Sequence, residues 1–366
     1  MTDLNLENLE IWLTCKLPKE RGLSIEQIGG GQSNPTWFVT WGNARLVLRK
    51  KPAGDLLPGA HAIEREFRVL NALAQTDVPV PKALWLEEDP KILGTPFYVM
   101  ERLDGRVFSD STLPDVSAQD RRAMYLDMAR AMARLHNVQP VAIGLGDFGK
   151  PGNYYERQIR RWSAQYQTSR GAQIPALDEV IDWLTVNLPA DDGLVSIAHG
   201  DFRLGNMMFH PTEPRVIAIL DWELSTLGHP MADLGFCVIP WFSTPDEYGG
   251  LKGTQWQASG IPESYEFVEE YLKAAHSGAA LDTFHVAFAL FRFAVIFRGI
   301  ADRAAAGSAA SQDATELGPL AIRFSERARE IIQAQPFPKI SAKGVENVSV
   351  SQGVNLPFGG TGKLCL

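Results

Sequence analysis

The sequence holds only three cysteines, Cys15, Cys237 and Cys365, far apart and odd in number. They form no CxxC pair and no metal-ligand spacing, which argues against a disulfide scaffold and fits a reducing compartment. No block of lysine and arginine stands out: 35 basic residues face 43 acidic ones, for a formal charge of −8. A nucleic-acid footprint is therefore absent. The opening stretch, MTDLNLENLE, is acidic and lacks the basic start and apolar core of a secretory signal. The longest apolar run, FHVAFALFRFAVIF (284–297), is interrupted by His285 and Arg292 and is short for a bilayer. A soluble cytoplasmic protein with no membrane or nucleic-acid partner is expected.

What is present is a chain of 366 residues, 45% hydrophobic and 21% charged, enough for a large core in two lobes. Leu6, Leu9, Trp12 and Leu13 predict an amphipathic helix within 5–17. Residues 23–52 predict three strands, the first two joined by a glycine-rich turn and the next pair by WGN. A helix over 60–75 follows, then strands in KALWLEE and PFYVMERL. These elements make a first lobe, 1–103. The period then becomes helical. Ser117 is placed to cap a helix over 117–137, whose Met124, Met128 and Met132 read as core. Further helices are expected at 154–168, 176–188, 262–276, 281–300 and 313–334. HGDFRLGNMMFH and RVIAILDWE read as a loop with two short strands. This second lobe spans 104–337. From Pro338 no period is sustained, so 338–366 is expected to be an irregular tail. The fold class is α+β.

The chemistry lies in HGDFRLGN (199–206) and ILDWE (219–223). Phosphoryl transfer needs an oriented nucleophile, a Mg2+-loaded triphosphate and positive charge at the phosphates. Asp201 could accept a hydroxyl proton. Asn206 and Asp221 offer the hard oxygen ligands that Mg2+ prefers. Glu223 would point to the side of Asp221 if the segment were extended.

His199-Gly200-Asp201, Asn206 and the later Asp221 resemble the catalytic and metal loops of the aminoglycoside phosphotransferase-like family. These are small-molecule kinases similar in fold to protein kinases. The resemblance spans about 20–335. It implies a two-lobed protein-kinase-like fold, with an antiparallel sheet and one helix in front and a larger helical lobe behind. It implies ATP and Mg2+ as cofactors. Gly30, Gly31, Ser33 and Asn34 would cover the phosphates. Arg49 falls where such kinases place a phosphate-binding lysine, with Lys50 beside it, a departure that changes the contact from a point charge to a bidentate fork. Glu66, with Glu64 as an alternative, would be the acidic partner of Arg49. Backbone groups around Glu101 and Leu103 would meet the adenine edge. His199 and Asp233 would support the catalytic loop, and Arg203 would contact the transferring phosphoryl group.

The acceptor is less well defined, because fold and reaction do not set the substrate. The stretch 153–170 holds Arg157, Arg160, Arg161 and Arg170 against a single acid, Glu156. Arg157, Arg160 and Arg161 share a helical face, and Arg292 sits in an otherwise apolar helix. They are expected to hold an anionic acceptor, although a solvated helix face, and a buried ion pair of Arg292 with Asp233, are alternative readings. RQIRRW and LDWELSTLGHPMADLG resemble a branch of the family that is fused in some proteins to an acyl-CoA dehydrogenase. That branch implies phosphorylation of a hydroxyacyl-CoA, often at carbon four, and a functional link to such a dehydrogenase, for which these residues leave no room. An antibiotic kinase and a nucleotide-binding pseudokinase are the competing readings.

Overall fold

In Thr36–Trp41 burial alternates residue by residue, so that Trp37, Val39 and Trp41 are buried on one face, the period of a half-covered strand. The computed structural model describes residues 4–18, 22–28, 34–54, 61–150, 152–169, 171–305, 318–333, 337–342 and 344–346. In the first lobe helix α1 (Leu6–Thr14) precedes strands β1 (Leu23–Gln27), β2 (Thr36–Trp41) and β3 (Ala44–Lys50). Helix α2 (Ile63–Leu73), β4 (Ala83–Glu87), the single turn α3 (Pro90–Leu93) and β5 (Phe97–Glu101) complete it. The sheet is antiparallel, in the order β1-β2-β3-β5-β4. Leu9, Trp12 and Leu13 of α1 pack on one sheet face with Trp37, Trp41, Leu48 and Phe97. Ile63, Val69, Leu70 and Leu73 of α2 join the core of the second lobe instead. The helix therefore ties the sheet to the lobe behind it.

The second lobe begins with β6 (Arg106–Val107) and runs through α4 (Ala118–Asn137), α5 (Tyr154–Gln167) and α6 (Pro175–Val186). Short strands β7 (Ser196–Ala198), β8 (Met207–Phe209), β9 (Val216–Ile219) and β10 (Thr226–Gly228) follow. Then come α7 (Pro230–Cys237), α8 (Ser264–Ala274), α9 (Thr283–Ala305), α10 (Gly318–Gln333), β11 (Lys339–Ser341) and β12 (Gly344–Glu346). Strands pair as β6-β8-β9 and as β7-β10. The two pairings bring the segment after β7 beside the segment after β9. Helix α9 is long and apolar enough to cross a membrane by length and composition, but it packs against α5, α6, α7 and α10. Val286 through Phe291 are all fully buried.

The two short strands expected in 199–223 are β8 and β9, and β7 and β10 flank them on either side. Two expectations are corrected. Helix α7 is an additional helix, short and opened by His229-Pro230, so its period is too brief to read. The stretch after Pro338 is not wholly irregular: β11 and β12 form a hairpin, and Ile340 is fully buried and exchanges both backbone hydrogen bonds with Leu281. Tertiary pairing, not local pattern, orders these residues.

Candidate active site

The loop that leaves β7 turns at Gly200, where φ is +83° and a Cβ would lie 2.7 Å from the Leu224 carbonyl oxygen. Only glycine fits there. The backbone N–H groups of His199 and Gly200 donate to the two carboxylate oxygens of Asp233 on α7, at 2.6 and 2.9 Å. His136 on α4 contacts the same carboxylate at 3.3 Å and the Tyr271 hydroxyl at 2.8 Å. Burial pushes the Asp233 carboxyl up. The hydrogen bond and charge of His136, with the Gly200 N–H, outweigh it and hold the group below its ordinary range. His199 Nδ1 accepts from the Asp201 N–H at 3.2 Å, so its Nε2 carries the proton donated to the Leu220 carbonyl at 2.9 Å. One histidine thereby joins the two chemical loops.

On that support the Asp201 carboxylate accepts from Asn206 Nδ2 at 2.8 Å and faces Arg203 Nε at 3.3 Å. Burial raises its pKa against the pull of Arg203, His199 and Asn206. Asn206 Nδ2 also donates to the Asp201 carbonyl at 2.8 Å, which directs the amide oxygen away from the loop. The Asn206 carbonyl in turn accepts from the Leu220 N–H at 2.8 Å and sets Asp221 beside it. Asp221 adopts a left-handed backbone, φ +65°, at the head of a 3-10 turn. Because that turn replaces an extended strand, Glu223 does not reach the site by strand alternation; it lies 3.6 Å from Arg49 Nη2.

Arg49 comes from β3, with Tyr98 of β5 as its cross-strand partner. Its Nε lies 2.7 Å from Glu66 Oε2 on α2, and its Nη2 lies 2.7 Å from Asp221 Oδ1. Glu66 is buried and also accepts from Asn34 Nδ2 at 2.5 Å and from the Tyr98 hydroxyl at 3.1 Å. Burial opposes the Arg49 charge, but Glu66, Tyr98, Asp221 and Glu223 together hold its pKa above the ordinary value. Arg49 lines the cleft between the lobes, about 510 Å3 in volume. Phe38, Val47, Met100, Met208 and Ile219 make its apolar side, and Asn34, Arg49, Asn206 and Asp221 its polar end. An apolar slot with a charged end suits a base joined to phosphates. Asn206 and Asp221 provide two hard oxygens with no third ligating side chain clustered there among the described residues. That donor set fits Mg2+, which keeps waters and phosphate oxygens for its other positions.

Other expected residues are distributed differently. Gly30, Gly31, Ser33 and Arg170 lie outside the described residues. Glu64 stays outside the Arg49 cluster. The N–H groups of Glu101 and Arg102 are bonded to Lys82 and Arg45 carbonyls, so Leu103 is the first residue of the crossing segment with an unpaired N–H among the described residues. On α5 the buried face is Tyr155, Ile159, Ser163 and Tyr166, and the arginines lie away from it. Arg157 donates to the Lys150 carbonyl at 2.5 Å, Arg160 is exposed, and Arg161 lies 5.3 Å from the Trp162 ring centroid. Arg292 is not paired with Asp233, whose oxygens are already engaged. It is buried, donates to the Gly200 carbonyl at 3.0 Å and lies 5.9 Å from Trp162. Sequence reading missed Tyr98, His136 and Tyr271; only the Arg49–Tyr98 strand register carried a local signal.

The sheet-and-helix lobe over a helical lobe, with Asp201, Asn206 and Asp221 meeting at the cleft, defines a kinase-like phosphotransferase. The chain belongs to the phosphotransferase enzyme family, whose model matches residues 24–271. A solved structure from Ralstonia eutropha, provisionally described as an aminoglycoside phosphotransferase, is 45% identical with TM-score 0.80, covering 89% of this chain and 98% of that one. An aminoglycoside phosphotransferase solved with AMP-PNP and hygromycin B shares the fold at 14% identity and TM-score 0.60, over 89% of this chain and 99% of that one. Mouse acyl-CoA dehydrogenase family member 10 is 40% identical over 323 residues, 86% of this chain and 30% of the mouse protein. Human acyl-CoA dehydrogenase family member 11 is 38% identical over 344 residues, 92% and 44% of the two lengths. The chain thus spans less than half the length of these curated relatives.

Proposed function

We propose that the chain transfers the γ-phosphoryl group of ATP, with Mg2+, to the hydroxyl of a hydroxyacyl-CoA in the cytoplasm. The observation that carries the reaction is the Asp201 carboxylate, half-buried, bonded to Asn206 and placed on a loop clamped by Asp233. Asp201 orients the acceptor hydroxyl and takes its proton as the oxygen attacks. Its raised pKa makes it a better base than an ordinary aspartate. Arg203 offers charge to the transferring group. Arg49, anchored by Glu66, holds nucleotide phosphates. Asn206 and Asp221 would hold Mg2+, which supplies positive charge at the phosphate oxygens.

The thioester acceptor is supported by the similarity to two acyl-CoA dehydrogenase family members and by the arginine surplus of α5. Arg161, which shares Trp162 with Arg292, is two side chains from the catalytic loop and is the best placed of the three. A dehydrogenase acting on acyl-CoA is the natural functional partner. The test is ADP release by purified protein with Mg-ATP and 4-hydroxyacyl-CoAs, free hydroxy acids or aminoglycosides. Turnover should favour the thioesters. Equal turnover of the free acids, or preference for an aminoglycoside, overturns the acceptor; no ATP consumption with any of them leaves a pseudokinase.

A further inference from the structure

A second cavity opens beside the catalytic loop, and Gly205 lines both it and the nucleotide cleft. Its deep wall is Tyr125 and Met128 from α4, Phe236 and Cys237 from α7, Ile239, and Phe293 from α9. Arg203 stands at its rim, between Asp201 and the Tyr248 ring, whose centroid is 5.4 Å from the guanidinium. Tyr248 itself is held at φ +68° and packs its ring against Phe293 at 5.3 Å.

The polar groups along the inner wall of this cavity already have partners, and the Ser109, Ser111 and Tyr248 hydroxyls complete its lining. The Tyr125 hydroxyl donates to the Ser111 carbonyl at 2.6 Å, and the Ser243 hydroxyl to the Ile239 carbonyl at 3.1 Å. Both Glu247 oxygens accept from Arg327, at 3.0 and 3.1 Å. The buried Cys237 thiol is pushed up in pKa and stays neutral. Against the wall of Met128, Phe236, Ile239 and Phe293 a sugar hydroxyl or an ammonium would lose water and gain little in return. A hydrocarbon chain would lose nothing.

We propose that this cavity takes the alkyl chain of the acceptor on the side of the hydroxyl remote from the thioester. The proposal rests on the hydroxyacyl reading above and adds a constraint to it: the acceptor is an internal, secondary alcohol with a tail, not a chain bearing its hydroxyl at the terminus. The cavity measures about 50 Å3. On the scale by which an apolar cavity of about 150 Å3 takes benzene, it holds roughly two methyl or methylene groups.

The experiment is calorimetric titration of straight-chain 4-hydroxy acids and their CoA thioesters of rising length, with wild type, Cys237→Ala and Cys237→Leu. Affinity should rise about fourfold per methylene beyond the hydroxyl and level off near the second. The plateau should move to a longer chain in Cys237→Ala and to a shorter one in Cys237→Leu. A folding defect cannot lengthen it, so the paired shift isolates the cavity. Chain-length-independent affinity, no binding of either series, or one plateau shared by all three proteins overturns the proposal. Graded binding with shifted plateaus but no phosphorylation would keep the cavity assignment and reject the kinase reading instead.

Discussion

The loop carrying Asp201 is fastened inside one lobe, by backbone N–H groups on a buried carboxylate. Arg49, by contrast, reaches from the sheet to Asp221 across 172 positions of chain and across the cleft. The first arrangement does not change when the lobes move; the second exists only while they stay close. On the proposed function, the groups that would act on the acceptor are thus preorganised, whereas the grip on nucleotide phosphates would depend on lobe separation.

Asp201→Asn offers the largest effect by which to break this contrast. Turnover should fall about 10²- to 10⁴-fold, while the ATP dissociation constant measured by calorimetry barely changes. Retained turnover would remove Asp201 from the chemistry and leave the clamped loop without a role.

Asp233→Ala should come next. It strands two buried N–H groups and His136, and denaturant unfolding should report a loss of about 3–5 kcal/mol. Because the folded pKa of Asp233 lies below its ordinary value of 3.8, its contribution is present above that value. It is lost as pH falls through the lower, folded value. Acid unfolding should be less steep in Asp233→Asn. An unchanged acid profile would show that the loop is held by something else.

Arg49→Ala should raise the KM for ATP about 10- to 100-fold, the worth of a charge-assisted contact, and Arg49→Lys should recover part of it. An effect on kcat alone would erase the distinction between the two regions. The smallest effect belongs to α5. Arg161→Glu should raise the acceptor KM a few-fold, more so at low salt, and exposed Arg160→Glu should do less. A larger effect from Arg160 would place the acceptor on the outer face of the helix.

The parts of this site that were legible in the sequence are those set by short spacing. Asp201 and Asn206 share one loop, Asp221 ends an apolar strand, and Arg49 lies in a short strand that resembles the family's third, so local pattern located them. Long-range geometry was not legible. Nothing near Arg292 says that its partner is the Gly200 carbonyl, 92 positions away. Nothing near Ile340 announces Leu281. Helix α7 was too short to show a period, though its Asp233 was singled out. The framing helices of both lobes were readable because they bury regular stripes of side chains, and the five strands because turn residues and short apolar runs bound them.

The ion cluster at Arg49 has a consequence for which form of the nucleotide enters. Glu66, Asp221 and Glu223 gather on one guanidinium, so on the proposed function arriving phosphates meet carboxylates as well as a cation. Uncomplexed ATP, a polyanion, would approach those carboxylates against repulsion; the same nucleotide chelated to a divalent cation would not. On that reading the cleft sorts nucleotide species before any chemistry begins. In a cell short of free magnesium, the unchelated nucleotide would make a poor competitor for this protein.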